Sequence, residues 1–312
     1  MPKPKLIIIL GPTAAGKSSL GLELALSCEG EIVSADSVQV YRGLDIGSAK
    51  PSVEDRRRVR HHLVDILDPD QEYSAALFRD QADRIIADLH RRNTPIFVAG
   101  GTGLYLKVLT RGLFAGPGSN PDFRAEVYRR AQAEGPAEIH NELRALDPEA
   151  ASRIHPNDLF RIARALEVVK GSGNPISCFQ REHSFRENPY DVLKVGLALE
   201  RTELYRRIDS RVDDMLACGW LDEVKSLLAR GYSPELKSLQ SLGYKHLVSV
   251  LAAGMDLPAA VELIKRETRR YAKRQLTWFR NDPEIHWLRP AAFEEAVGLT
   301  DRFLAGVEKL PQ

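Results

Sequence analysis

The sequence predicts an α/β fold, a parallel sheet flanked by helices with a helical lobe inserted into it, and three observations carry that expectation. Short apolar runs alternate with amphipathic stretches over roughly the first hundred residues. Each of those runs ends in glycines or in single charged and hydroxyl residues, as strand ends facing a ligand do. Finally, Gly116-Pro117-Gly118 opens a charged, strand-poor stretch that closes at Gly171-Ser172-Gly173-Asn174-Pro175, after which strand character returns.

Taken in order, residues 6–10 form an unbroken apolar run suited to a strand buried on both faces. A glycine-rich turn follows, then a helix to about Ser27 carrying Leu20, Leu22, Leu24 and Ala25. Residues 31–35 and 61–66 read as strands, 75–92 as a helix and 96–99 as another strand. Residues 123–169 are helical in character, 191–199 return to strand, and from Glu203 onward the chain reads as helical, broken near Gly231-Tyr232-Ser233-Pro234 and Gly254. The expected organisation is a core from residues 1–115 and 191–312, with residues 116–190 as the inserted lobe.

Composition narrows the class. With 43% hydrophobic and 28% charged residues the chain can bury a sizeable core, and no apolar run approaches the roughly 20 residues a membrane span needs. Met1-Pro2-Lys3-Pro4-Lys5 leads straight into the first strand without a signal peptide's apolar region, so a cytoplasmic protein is expected. Cys28, Cys178 and Cys218 are too widely spaced to suggest a zinc site. The net charge of +1 leaves nucleic acid open, because a local patch suffices, and the clearest one contains Lys265, Arg266, Arg269, Arg270, Lys273, Arg274 and Arg280. Arg266, Arg270, Lys273 and Thr277 share one helical face there, against Ile264, Thr268, Tyr271 and Phe279 on another.

The strongest motif is Gly11-Pro12-Thr13-Ala14-Ala15-Gly16-Lys17-Ser18, a P-loop pattern lying between a strand and a helix. Its glycines let backbone N–H groups converge on phosphate oxygens at a helix N-terminus, where the dipole also favours negative charge. Lys17 would neutralise the phosphates and Ser18 would hold a magnesium ion. The core is therefore expected to be P-loop NTPase-like. The motif leaves the reaction open, since kinases, hydrolases, switches and other transferases share it.

Two further strand ends aim at the same sheet edge. The strand before Asp36 delivers that carboxylate, Ser37 and Gln39, as a general base, a metal contact or a helix cap. The strand before Gly100-Gly101-Thr102-Gly103 delivers a turn where backbone can approach a ligand and where Thr102 offers a hydroxyl.

Five blocks in order, the P-loop, residues 36–51, His61-His62-Leu63-Val64-Asp65, residues 100–105 and residues 271–279, closely resemble the tRNA dimethylallyltransferases, also called tRNA isopentenyltransferases. The resemblance spans nearly the whole chain and, without a zinc-finger extension, implies a bacterial form. It implies transfer of a dimethylallyl group from dimethylallyl diphosphate to N6 of the adenosine 3′-adjacent to the anticodon, with Mg2+ and release of diphosphate. Asp36 is then the general base, and Thr13, Gly16, Lys17 and Ser18 hold diphosphate and metal. Thr102 stands at the reacting centre, and Arg211 grips diphosphate from the opposite side, although spacing alone also allows Arg211 a helix pair with Asp213 or Asp214. Ser18 and Ser48 replace threonines frequent in the family and keep the hydroxyl.

The resemblance further implies contacts to the tRNA anticodon stem-loop from Asp36, Ser37, Val38, Gln39, Thr102, Arg124, Phe160, Arg161, Ile162, Ala163, Arg164, Ser241, Leu242, Gly243, Tyr244, Lys245 and His246, with the lobe as a clamp and the protein as a monomer. Read without the resemblance, Arg161 and Arg164 equally suit a solvated helical face. A small-molecule kinase, with Asp36 deprotonating a hydroxyl, would show ATP turnover without RNA. A nucleotide-gated RNA-binding module would tolerate loss of Asp36.

Overall fold

The computed structural model describes residues 2–307; residue 1 and residues 308–312, the ends of the expected core, lie outside the described residues. The chain folds as two compact units, one pairing the residues up to Thr110 with those from Pro189 onward and the other spanning Arg111–Asn188.

In the larger unit β1 (Lys5–Leu10), β2 (Glu31–Ser34), β3 (His61–His62), β4 (Ile96–Ala99), β5 (Asp191–Leu197) and β6 (Ile285–Leu288) form one sheet in the order β3-β2-β4-β1-β5-β6, every neighbouring pair parallel. The helices of this unit are α1 (Lys17–Ser27), α2 (Val53–Arg58), α3 (Ala75–Arg91), α4 (Gly103–Arg111), α10 (Arg201–Ala217), α11 (Trp220–Ala229), α12 (Tyr244–Ala253), α13 (Leu257–Phe279) and α14 (Phe293–Ala305). β1 lies between β4 and β5, and Leu6, Ile7 and Ile9 are fully buried, which is why that run is apolar at every position. Leu20, Leu22, Leu24 and Ala25 of α1 pack on Ile7, Ile9 and Phe97 together with Leu299 and Phe303 of α14. No helix among the described residues is long and apolar enough to cross a membrane.

Two readings of this sheet need correction. Residues 61–66 do not form a strand beyond His62, because Leu63 and Asp65 adopt positive φ of 61° and 56° and turn the chain away. The C-terminal part is not wholly helical either, since β6 adds an edge strand on β5. Only Ile285 and Leu288 at its ends are buried, so the sequence shows little of a strand's alternation. Lys194 of β5 anchors the approach to β6 through Asp282 and Glu284, both at 2.6 Å.

The smaller unit is helical: α5 (Pro121–Glu134), α6 (Pro136–Leu146), α7 (Pro148–Arg153), α8 (Leu159–Ser172) and α9 (Ile176–His183). Prolines at the first helical position divide what reads as one helical stretch, because each lacks an N–H and cannot continue the preceding helix. Asn120, Asp147 and Asp158 cap the helices that follow them. Val127, Ile139, Leu143, Ile162, Ala163 and Leu166 make a separate core.

Candidate active site

The site grows from the carboxyl ends of three adjacent strands. After β1 the chain enters the P-loop, where Ala14 (φ 63°) and Gly16 (φ 93°) take left-handed conformations that curl the backbone before α1. Gly11 answers a different need: at φ 138°, a Cβ there would stand 2.7 Å from the Leu197 carbonyl of β5, so its role is close packing against the next strand. After β4, a Cβ on Gly100 would lie 2.2 Å from the Ala35 carbonyl, so the turn follows the end of β2 closely. These close approaches bring the P-loop, Asp36 and the glycine turn to one crevice.

That crevice is a cavity of about 190 Å3 lined by Thr13, Ala14, Gly16, Lys17, Ser18, Asp36, Gln39, Gly100, Gly101, Arg211, Tyr271 and Gln275 among others. Gly11, Pro12 and Ala15 do not line it; Ala15 is fully buried and the Pro12 carbonyl accepts a hydrogen bond from Lys17 Nζ at 2.7 Å. Ser18 lines the wall and is exposed. Thr102 opens α4 just beyond the lining, its carbonyl accepting the Tyr105 N–H at 2.9 Å.

Of the roles the sequence allows Asp36, the structure shows the cap, made on a turn rather than on a helix. Its Oδ1 accepts the N–H groups of Val38 (2.8 Å) and Gln39 (3.2 Å), capping the turn, while Oδ2 has no protein partner among the described residues. The turn therefore fixes the carboxylate and leaves one oxygen for chemistry. Ser37 is exposed. Gln39 donates through Nε2 to the carbonyls of Ser48 (3.3 Å) and Ala49 (3.1 Å), tying residues 48–51 to the wall.

Lys17 and Arg211 supply positive charge and form no ion pair among the described residues. Burial first, then the neighbouring Arg211, pulls the Lys17 ammonium down to about 8 against the opposing pull of Asp36. Burial also lowers Arg211 from its ordinary value, with Asp36 opposing. The helix pair open to Arg211 from spacing is not formed: Asp213 instead meets Lys265 at 2.7 Å. Two cations facing a single carboxylate leave the crevice electropositive, as an anion site requires.

The positions expected to meet RNA fall into different settings. In the smaller unit, Arg124 meets Glu167 through two nitrogens at 3.0 and 2.8 Å, and Arg164 pairs with the same carboxylate. Phe160 and Arg161 are exposed, whereas Ile162 and Ala163 are fully buried, so neither of those two side chains reaches solvent. In the larger unit, Ser241, Leu242 and Lys245 are half-buried, while Gly243, Tyr244 and His246 are buried. Gly243 packs beneath Trp220, which a Cβ would meet at 2.1 Å, and the Tyr244 hydroxyl donates to Glu223 at 2.7 Å. On α13, Arg266, Arg270, Lys273 and Arg274 are exposed, while Lys265 and Arg269 are taken up by Asp213 and Asp209.

Sequence reasoning missed several residues of the cavity wall as site residues: Ser34, His61, Tyr271 and Gln275. Tyr271 and Gln275 lie one helical turn apart on α13, inside the motif block 271–279, and that spacing was the available signal. Burial, then Asp36, pushes the Tyr271 phenol up to about 12, so it stays neutral at ordinary pH.

The family model described as IPP transferase matches residues 39–282, and that described as isopentenyl transferase matches residues 4–71. A tRNA dimethylallyltransferase of Geobacter metallireducens is 52% identical over 94% of this chain and 95% of its own, and tRNA dimethylallyltransferase 2 of Syntrophus aciditrophicus is 49% identical over 97% and 98%. Among solved structures, the full-length tRNA isopentenylpyrophosphate transferase of Bacillus halodurans superimposes with a TM-score of 0.71 at 40% identity over 97% of this chain and 96% of that one. A eukaryotic dimethylallyltransferase captured acting on tRNA reaches 0.83 at 29% identity over 99% and 81%. With a family model over most of the chain and relatives about half identical along nearly all of it, the chain belongs to the IPP transferase family.

Proposed function

We propose that the protein transfers a dimethylallyl group from dimethylallyl diphosphate to N6 of the adenosine 3′-adjacent to the anticodon of tRNA, releasing diphosphate. The observation that carries the chemistry is the crevice in which Lys17 and Arg211, without ion partners among the described residues, face Asp36, one of whose carboxylate oxygens is likewise unengaged among them. The adenine amine attacks C1 of the dimethylallyl group; the N–C bond forms as the C–O bond to diphosphate breaks, the electron pair leaving with the oxygen. Asp36 takes the N6 proton, because an exocyclic amine is a weak nucleophile until it is relieved of that proton. Lys17, Arg211 and the P-loop N–H groups stabilise the charge gathering on the leaving diphosphate. Thr102, at the start of α4, is assigned to hold the target nucleotide.

The residues present fit a magnesium ion carried mainly by the diphosphate: Ser18 offers one hydroxyl at the wall, and no cluster of three metal-ligating side chains exists among the described residues. Bound there, the ion would add charge neutralisation to the leaving group. The target base must leave the anticodon-loop stack to reach the crevice. The exposed Arg266, Arg270 and Lys273 of α13 suit the RNA backbone. The exposed Phe160 and Arg161 of the lobe are assigned to the stem-loop, with the protein acting as a cytoplasmic monomer.

The test is incubation with unmodified tRNA, dimethylallyl diphosphate and magnesium, followed by mass spectrometry of the digested nucleosides. A dimethylallyl mass gain on adenosine is expected. Unmodified adenosine, with ATP consumed on a small acceptor, would replace the reading by a kinase.

A further inference from the structure

Gln275 of the cavity wall spans two of its loops with one amide. It stands on α13 and is only 6% exposed. Its Oε1 accepts the Thr13 N–H of the P-loop at 2.8 Å, and its Nε2 donates to the Gly101 carbonyl of the β4–α4 turn at 2.9 Å. The fit is close, since a Cβ on Gly101 would stand 2.2 Å from that Nε2. An amide donates and accepts at once from one plane; a carboxylate would repel the Gly101 carbonyl, and an apolar chain would leave the Thr13 N–H and the buried Gly101 C=O without these partners.

The two loops it joins carry opposite halves of the proposed reaction. Thr13 belongs to the loop that holds the leaving diphosphate, and Gly101 adjoins Thr102 and packs beside Gly100, which touches the end of β2 where Asp36 emerges. The spacing between them sets the line along which nucleophile, carbon and leaving oxygen must align, and a displacement of about 1 Å in such a line can cost roughly a hundredfold in rate.

Resting on the transfer reading above, we propose that Gln275 is a positioning residue that fixes the distance and orientation of the diphosphate loop relative to the nucleophile side of the crevice. It touches neither reacting atom. Its Thr13 bond also withdraws that N–H from the phosphate cradle, so the phosphate is held by the other loop amides, Lys17 and Arg211.

The test is a kinetic double-mutant cycle on the full chain with Gln275→Met, Gln275→Ala, Gly101→Ala and the Gly101→Ala/Gln275→Ala pair, each compared by melting temperature so that only folded protein is assayed. Gln275→Met keeps the volume but not the hydrogen bonds, and should lower kcat about 10- to 100-fold while KM for tRNA moves less than about twofold. Gly101→Ala, by displacing the Gln275 amide, should lose a similar factor, and the pair should lose far less than the product of the single losses. Folded variants with kcat and donor KM within about twofold of wild type, or single losses that multiply independently, would overturn the proposal alone. A wild-type protein that leaves tRNA unmodified would overturn the transfer reading, and this proposal with it.

Discussion

The crevice of the larger unit and the helical lobe both carry arginines expected to meet phosphate, yet they treat those charges oppositely. In the lobe, Arg124 and Arg164 converge on Glu167, whose side chain is 2% exposed. Burial alone would raise that carboxyl, but Arg124, the Asn120 N–H and Arg164 outweigh it and hold Glu167 below its ordinary value. In the crevice, Lys17 and Arg211 receive no such carboxylate among the described residues and are lowered instead. A cation that a fold leaves partly desolvated and unpaired is stored for a ligand, whereas one paired with a buried acid is holding the fold. Residue type and helical spacing do not distinguish the two.

The largest expected effect falls on Asp36. Asp36→Ala removes both the base and the turn cap, so single-turnover transfer should drop about a thousandfold or more, while filter binding shows tRNA still held. Turnover near the wild-type level would move catalysis out of the crevice. Lys17→Ala comes next, with kcat/KM for dimethylallyl diphosphate reduced about a hundredfold or more in initial-rate assays, because leaving-group stabilisation is lost. On the lobe side, Glu167→Gln should cost about 3 kcal/mol in urea unfolding by stranding two arginines, with kcat changed far less. Loss of transfer without loss of stability there would erase the contrast. The smallest effects belong to α13: Arg270→Ala or Lys273→Ala should weaken tRNA binding across sequences and lower the salt slope of log K by about 1 each.

The P-loop and Asp36 were legible because their geometry is local: a few consecutive residues between strand and helix determine where backbone N–H groups and the carboxylate point. So was the parallel sheet, whose central strands β1 and β4 carry the unbroken apolar runs 6–10 and 96–99. Gln275 was not, since it reaches Thr13 from 262 residues further along the chain, and only the packing of α13 brings them together. The neutralisation of Arg124 was hidden for the same reason, as Glu167 lies 43 residues away on another helix. β6 escaped because an edge strand with two buried residues lacks a period, and residues 63–66 misled because apolar residues there serve a turn with positive φ.

The unpaired charge of the crevice is tested most directly by calorimetric binding of dimethylallyl diphosphate, without tRNA, from about pH 7 to about pH 9.5. Lys17 is held down to about 8 by burial, so its charge is present below that pH and lost above it. The same depression makes this lysine's contribution to folding stability rise between about 8 and its ordinary value of 10.5, because the unfolded chain then binds the extra proton. Donor affinity should therefore be flat below pH 8 and fall by up to about tenfold per pH unit above it, with the limb absent in Lys17→Ala. Wild-type affinity that stays constant to pH 9.5, or a limb that survives in Lys17→Ala, would contradict a diphosphate held by this lysine.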